Sequence, residues 1–359
     1  MSTKQRKRYA VKVGILTWFN AANYGAKAHS YGLQKKIIDM GHECELINYC
    51  PKKMFILNYK MNMGREYSCG NILNSIKGFF RCVKLSNNNK KLILSHKVKN
   101  AEEIDNLGYD LIILGSDEIF NVGHPLYEAI YFGVGIKTPC ITYAPSSGQY
   151  SELSKLDEKV CDSLKRMKYI SARDIHTQTL IENNTAKKPE LVLDPTFLWE
   201  YNERGNEKFS GKYMLVYSFS EWPEYSKDIR SYAESRGWKI ISIGRKIRWA
   251  DKSYQVAGLD EWISAFRGAQ YVFTDSFHGT VFSLKYRKQF AVVGRHDKTN
   301  KIGDLLKSLS VNRQIYNKNE DMTEYLDEKI DYDIVTKYIH DEIEKSENFL
   351  KKGFAEVIS

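Results

Sequence analysis

The chain has 359 residues, more than one ordinary domain, and 42% of them are hydrophobic, enough to bury more than one core and to exclude global disorder. No apolar run reaches the roughly 18 residues that a bilayer-crossing helix needs. The six cysteines form no Cys-x-x-Cys pair and no zinc-type spacing with histidine, so the expectation is reduced thiols, no metal site and a cytoplasmic setting.

The basic start, Lys4 to Arg8, runs into Val13-Gly14-Ile15-Leu16. That apolar stretch is too short for a signal-peptide core, and Asn20 and Asn23 stand where a small-residue cleavage site would fall. It reads as a tail ahead of a first strand over Val11–Thr17. A polar turn from Asn20 to Gly25 opens a helix over Ala26–Met40, which Gly41 stops, and Glu43–Tyr49 is a second strand. Strand, helix and strand in this order open a doubly wound fold. Residues 51–100 interrupt the rhythm. They hold eleven Lys and Arg against one acid, Glu66, which accounts for the whole net charge of +10. They also carry Phe55, Tyr59, Tyr67, Phe79 and Phe80, and Ser86 to Lys91 is a loop by composition. An insertion of helices and mobile loop is predicted. Its charge suits peripheral contact with an anionic membrane surface or a solvated face, and no nucleic-acid motif accompanies it.

Further strands are predicted over Asp110–Leu114, Cys140–Ala144, Tyr169–Ala172 and Leu191–Leu193, and then over Tyr213–Ser218, Lys239–Ile243, Tyr271–Thr274 and Gln289–Val293. Helices fit Pro223–Ser235, Leu259–Arg267, Thr280–Tyr286 and a long charged stretch from about Tyr332 to Lys351. No internal repeat is visible. The predicted fold is α/β: a Rossmann-like domain over residues 1–205 with its insertion near 51–100, a second over 206–335, and a C-terminal helix over 336–359. Two such domains closed by a helix suggest the arrangement of GT-B glycosyltransferases.

Ligands of open parallel sheets sit beyond the carboxyl ends of the strands, so polar residues there are site candidates. Asn23 and Gly25 stand at the first strand-to-helix turn, either as an anion-binding helix start or as an ordinary turn. In Gly115-Ser116-Asp117, the carboxylate is either a base toward a sugar hydroxyl or the cap of the next helix. Arg173 directly follows a strand, where it either clamps a substrate anion or forms an ion pair, internal with Asp174 or across the domains. In Thr274-Asp275-Ser276-Phe277-His278-Gly279-Thr280, the hydroxyls of Ser276 and Thr280 and the amide of Gly279 can meet a phosphate. His278 there is either structural or a proton donor. Arg295 and Lys298 follow a later strand and either add charge to the cleft or stay solvated.

Taken in order, these pieces resemble the polysaccharide pyruvyl transferase family. The match runs from Gly14-Ile15-Leu16-Thr17 and Asn23-Tyr24-Gly25-Ala26 through Gly115-Ser116-Asp117, Asn121 and Tyr143-Ala144-Pro145-Ser146-Ser147-Gly148. It continues with Ser171-Ala172-Arg173, Leu193-Asp194-Pro195 and the segment around His278. The resemblance implies transfer of the pyruvyl group of phosphoenolpyruvate onto two hydroxyls of a sugar in a surface polysaccharide or its lipid-linked precursor, with no cofactor. It implies Arg173 as anion ligand, His278 as acid or phosphate ligand, and Asp117 as base. One position departs: Ser276 stands where better studied members carry an arginine that helps bind the donor. Arg173, Arg245, Arg295 or Lys298 then supplies the charge, or the donor differs. The alternatives are a GT-B glycosyltransferase using a sugar nucleotide and a non-catalytic member of a polysaccharide assembly complex.

Overall fold

The structure, a computed structural model, describes residues 10–67, 72–201, 207–293, 299–311, 315–316 and 321–358. Strands β1 (Lys12–Leu16), β2 (Glu43–Tyr49), β3 (Leu94–Val98), β4 (Leu111–Leu114) and β5 (Cys140–Thr142) form a parallel sheet of order β3-β2-β1-β4-β5. A short parallel pair, β6 (Ser171–Ala172) and β7 (Glu190–Leu191), lies beside β5. There hydroxyls stand in for ladder bonds: Thr142 Oγ1 donates to the Ser171 carbonyl at 2.8 Å, and the Ala144 amide donates to Ser171 Oγ at 3.1 Å. The second sheet holds β8 (Tyr213–Tyr217), β9 (Lys239–Ile243), β10 (Lys252–Tyr254), β11 (Tyr271–Thr274) and β12 (Gln289–Val292), in the order β10-β9-β8-β11-β12.

The two sheets therefore share one winding, although no repeat is visible in the residues. All residues of β4 and β11 are buried, as expected of central parallel strands covered on both faces. The chain reverses its winding direction between β1 and β4 and again between β8 and β11. Leu16 pairs with Leu114 and Tyr217 with Thr274, so the loops after each strand pair leave at one level. These are the two switch points where an open sheet makes its crevice.

Helix α1 (Tyr24–Asp39) follows β1. Its first turns are buried nearly all round, including Tyr24, Gly25, Ala26, Ala28, His29, Ser30 and Gly32. The small side chains let the second half of the molecule approach. Tyr24 stacks on Trp262 with ring centroids 5.4 Å apart and donates to the Ala257 carbonyl, and Tyr201 donates to the Ala28 carbonyl.

Residues 51–100 differ from the predicted insertion in one respect. They contain helices α2 (Lys52–Tyr67) and α3 (Ile72–Asn87), then the edge strand β3, so the segment is a crossover that returns the chain to the sheet. The predicted loop Ser86–Lys91 is the end of α3 plus a single 3-10 turn, Asn88–Lys91. The second strand missing from the sequence reading, β10, is the matching edge of the other sheet. Helix α4 (Phe277–Lys285) leaves β11, and α5 (Tyr332–Ile358) ends the described chain. The last helix starts against the second half, where Tyr332 donates to the Ser283 carbonyl, and finishes in the first, where Phe349, Leu350 and Phe354 join Val11, Val13 and Ile15. It therefore packs on both halves. No helix among the described residues is long and apolar enough to cross a membrane.

Candidate active site

A cleft of about 370 Å³ lies between the two switch points. Its first wall comes from the turn after β1 (Trp18 to Tyr24), from Asp117, Glu118 and Asn121 after β4, and from Leu57, Asn58, Asn62 and Arg81 of the helical hairpin. Its second wall comes from Tyr217, Ser218 and Phe219 at the end of β8 and from Ile243, Gly244 and Arg245 at the end of β9. Arg81 donates to the Gly244 carbonyl and to Asn62 Oδ1, while Arg245 donates to the Phe219 carbonyl. Two guanidinium groups thus reach one cleft of mixed polar and apolar lining, a pattern suited to a small dianion. Lys301 of the second half pairs with Glu118 at 2.8 Å, fixing one rim to the other.

Asp117 takes the capping alternative, and it also lines the cleft. Its backbone is left-handed at φ 80°, and Oδ1 accepts from the Glu118 amide at 2.9 Å, so it caps the short turn that follows. Its other oxygen lies 3.3 Å from His29 Nε2. Burial pushes the carboxyl upward, but the hydrogen bond and charge of His29, with Arg173 and His278 nearby, outweigh it and hold Asp117 well below the usual carboxylate range. Asn23, also on the cleft, spends its Oδ1 on the Gly25 amide at 2.8 Å.

Behind this wall lies a charged cluster. Arg173 pairs with Asp194 at 2.9 Å in a buried contact and lies over the Phe277 ring, 4.5 Å from its centroid. His278 Nε2 lies 3.6 Å from the same Asp194 oxygen, and its ring faces that of His29 at 6.3 Å. For Asp194, burial acts upward and is again outweighed, here by the hydrogen bond and charge of His278 together with Arg173 and His29, so the carboxyl stays ionised. Arg173 Nε is buried without a hydrogen bond, while His29 Nε2 and His278 Nε2 are buried against Asp117 and Asp194 respectively. Gly25 makes this packing possible, because a Cβ there would stand 2.1 Å from His278 Nδ1. The close approach predicted at Gly25 is filled by the histidine ring.

The other predicted residues are placed as follows. Arg173 does not line the cleft; it pairs with Asp194 instead of the expected Asp174 or a residue of the other domain, because Asp174 is taken up capping the next helix through Thr177. Ser116 is fully buried and donates to the Ala144 carbonyl at 2.7 Å. Ser276 caps α4, accepting from the Gly279 amide at 3.4 Å, and Thr280 Oγ1 donates to the Ser276 carbonyl at 3.2 Å. Gly279 clears Thr274 Oγ1, which a Cβ would meet at 2.1 Å. The hydroxyl and amide groups expected to meet a phosphate are thus used on one another. Arg295 and Lys298 lie outside the described residues. Arg245 does reach the cleft. His29 and Arg81 were not singled out in the sequence. His29 follows Gly25 by one helical turn, which puts both on one face of α1.

Paired parallel sheets with one winding, a cleft between their switch points and a last helix joining both halves define the GT-B class of α/β fold. The UDP-N-acetylglucosamine 2-epimerase from Rickettsia bellii is similar in structure, with a TM-score of 0.51 at 11% identity over 97% of this chain and 97% of that one. The glycosyltransferase SnogD from Streptomyces nogalater gives 0.49 at 9% identity, over 95% and 98%. The first likeness supports the fold and nothing finer. No curated protein matches the sequence significantly. The family model for polysaccharide pyruvyl transferases matches residues 23–297, so the chain belongs to that family of transferases.

Proposed function

We propose that this protein transfers the pyruvyl group of phosphoenolpyruvate to two hydroxyls of one sugar, forming a cyclic ketal, in the cleft between the sheets. The observation that carries the reading is the pair Arg81 and Arg245 lining the same cleft as an ionised Asp117. The donor has a carboxylate and a phosphate, and the arginines answer those charges where an arginine at position 276 is lacking.

A proton adds to the methylene carbon of the donor, which becomes a methyl group, and C2 becomes oxocarbenium-like. One sugar hydroxyl adds to C2 and loses its proton. The C2–O bond to phosphate breaks, inorganic phosphate leaves, and the second hydroxyl closes the ring while losing its proton to the phosphate. Asp117 orients the first hydroxyl. A carboxylate held so low keeps the proton only in passing and releases it to solvent in the cleft, while His29, 3.3 Å behind it, holds the carboxylate in place. His278, which stands behind the cleft wall with 11% of its side-chain surface open, is the proposed source of the proton for the methylene, delivered by way of solvent in the cleft. The acceptor is a polysaccharide precursor, which we place on a lipid carrier at the cytoplasmic face of a membrane.

Incubation with phosphoenolpyruvate and a panel of capsule, exopolysaccharide and cell-wall sugars tests the reading by phosphate release and by the mass gained on the acceptor. Absence of release across the panel, together with no donor binding by calorimetry, rejects it. Thermal stabilisation by a sugar nucleotide but not by phosphoenolpyruvate transfers the assignment to a glycosyltransferase.

A further inference from the structure

We infer that the outer face of the helical hairpin α2–α3 docks on an anionic lipid bilayer. The amphipathic pattern of α3 is inverted. Its buried face is Asn74, Ser75, Gly78, Arg81, Cys82 and Leu85, while Ile72, Ile76, Phe79 and Phe80 point outward. A helix that packs only to hide apolar surface does the reverse. On α2, Phe55 and Ile56 are likewise exposed, Phe55 by 65%, beside 54% for Phe80 of α3. The two helices present one surface. Phe55 and Tyr59 are 4.7 Å apart between centroids, Tyr59 and Phe79 5.3 Å, and Phe79 and Phe80 5.7 Å, an aromatic row running across both. Water-soluble monomers rarely leave a contiguous apolar patch of this kind uncovered.

Charge selects the occupant. Lys52, Lys60 and Lys77 are exposed on these helices, within the stretch where eleven cations stand against one acid. A bilayer of anionic lipids accepts both features, the aromatic and aliphatic side chains at the acyl boundary and the lysines among the headgroups. The opposite face of the hairpin supplies Leu57, Asn58, Asn62 and Arg81 to the cleft, so docking holds the cleft beside the membrane. That consequence for a lipid-linked acceptor rests on the proposed function; the docking itself does not.

The test is co-sedimentation of the full chain with vesicles of phosphatidylcholine alone and of phosphatidylcholine mixed with phosphatidylglycerol. Binding is expected only to the mixed vesicles, and it should weaken as salt is raised. Phe55→Ser and Phe80→Ser are each expected to weaken it about tenfold, and Lys60→Ala and Lys77→Ala about fivefold each. None of these residues lines the cleft, so phosphoenolpyruvate binding measured without vesicles stays unchanged and reports separately on the proposed function. Equal binding to both vesicle types, no binding to either, or wild-type affinity in the Phe variants overturns the inference. A dimer in solution that Phe80→Ser dissolves, in a chain that ignores vesicles, overturns it in favour of a second copy.

Discussion

Replacing Arg173 by methionine separates a structural arginine from a substrate clamp. The side chain keeps 3% of its surface exposed and its partner Asp194 none, so the pair is out of water. Removing one member of a buried pair costs roughly 3–5 kcal/mol, because the other charge is left behind. His278, at 3.6 Å, and the Thr196 amide and hydroxyl still face Asp194, which puts Arg173→Met at the lower end, about 3 kcal/mol. Asp194→Leu strands the arginine and removes those contacts, and its cost is expected to be similar or larger. The double variant leaves neither charge and should be at least about 2 kcal/mol more stable than the sum of the single losses implies. Urea unfolding followed by tryptophan fluorescence gives the cycle, and calorimetry on each variant gives donor affinity. Additive single losses below about 1 kcal/mol, with donor binding abolished in Arg173→Met, would refute the reasoning and make Arg173 a direct ligand.

Three further outcomes follow from the geometry. Gly25→Ala should displace the His278 ring, since the new Cβ falls 2.1 Å from Nδ1; activity should be lost with a stability cost of about 1–3 kcal/mol, and His278→Ala in the same chain should restore stability but not activity. Arg245→Ala should weaken phosphoenolpyruvate binding about tenfold to a hundredfold by calorimetry with little change in melting temperature, as expected for a charge-assisted contact. Glu261, where Lys84 of the hairpin meets the second half, is held at about 2 against an ordinary 4.5; burial opposes this, and Lys208, Lys84 and the Gly258 amide outweigh it. Its contribution is therefore full above pH 4.5 and lost as pH falls towards 2. Glu261→Gln should remove about 1–2 kcal/mol of acid sensitivity in that window, a figure reduced for screening at the part-exposed lysines.

Central strands were legible because burial on both faces makes them continuous apolar runs, as in Leu111–Leu114 and Tyr271–Thr274. The edge strands Leu94–Val98 and Lys252–Tyr254 were not, since an edge buries less and tolerates Ser95, His96 and Lys97, which read as loop. Asp117 and Asn23 were legible as polar residues at strand tips, and the structure puts both on the cleft. Arg173 looked like a ligand by the same rule, but its partner Asp194 is 21 residues away, and only the fold brings them together. Arg81 was hidden by the inverted helix, where an arginine points inward and phenylalanines outward. Ser276, read as a lost cation, is a helix cap, and the arginines that line the cleft are Arg81 and Arg245.

The most direct test of donor use is a crystal structure of the full chain with phosphoenolpyruvate. The donor should lie in the cleft, with its carboxylate or phosphate within hydrogen-bond distance of Arg81 or Arg245 and with Asp117 open to an incoming hydroxyl. A cleft that stays empty of phosphoenolpyruvate but is filled by a sugar nucleotide under the same conditions would contradict pyruvyl transfer as the activity of this site.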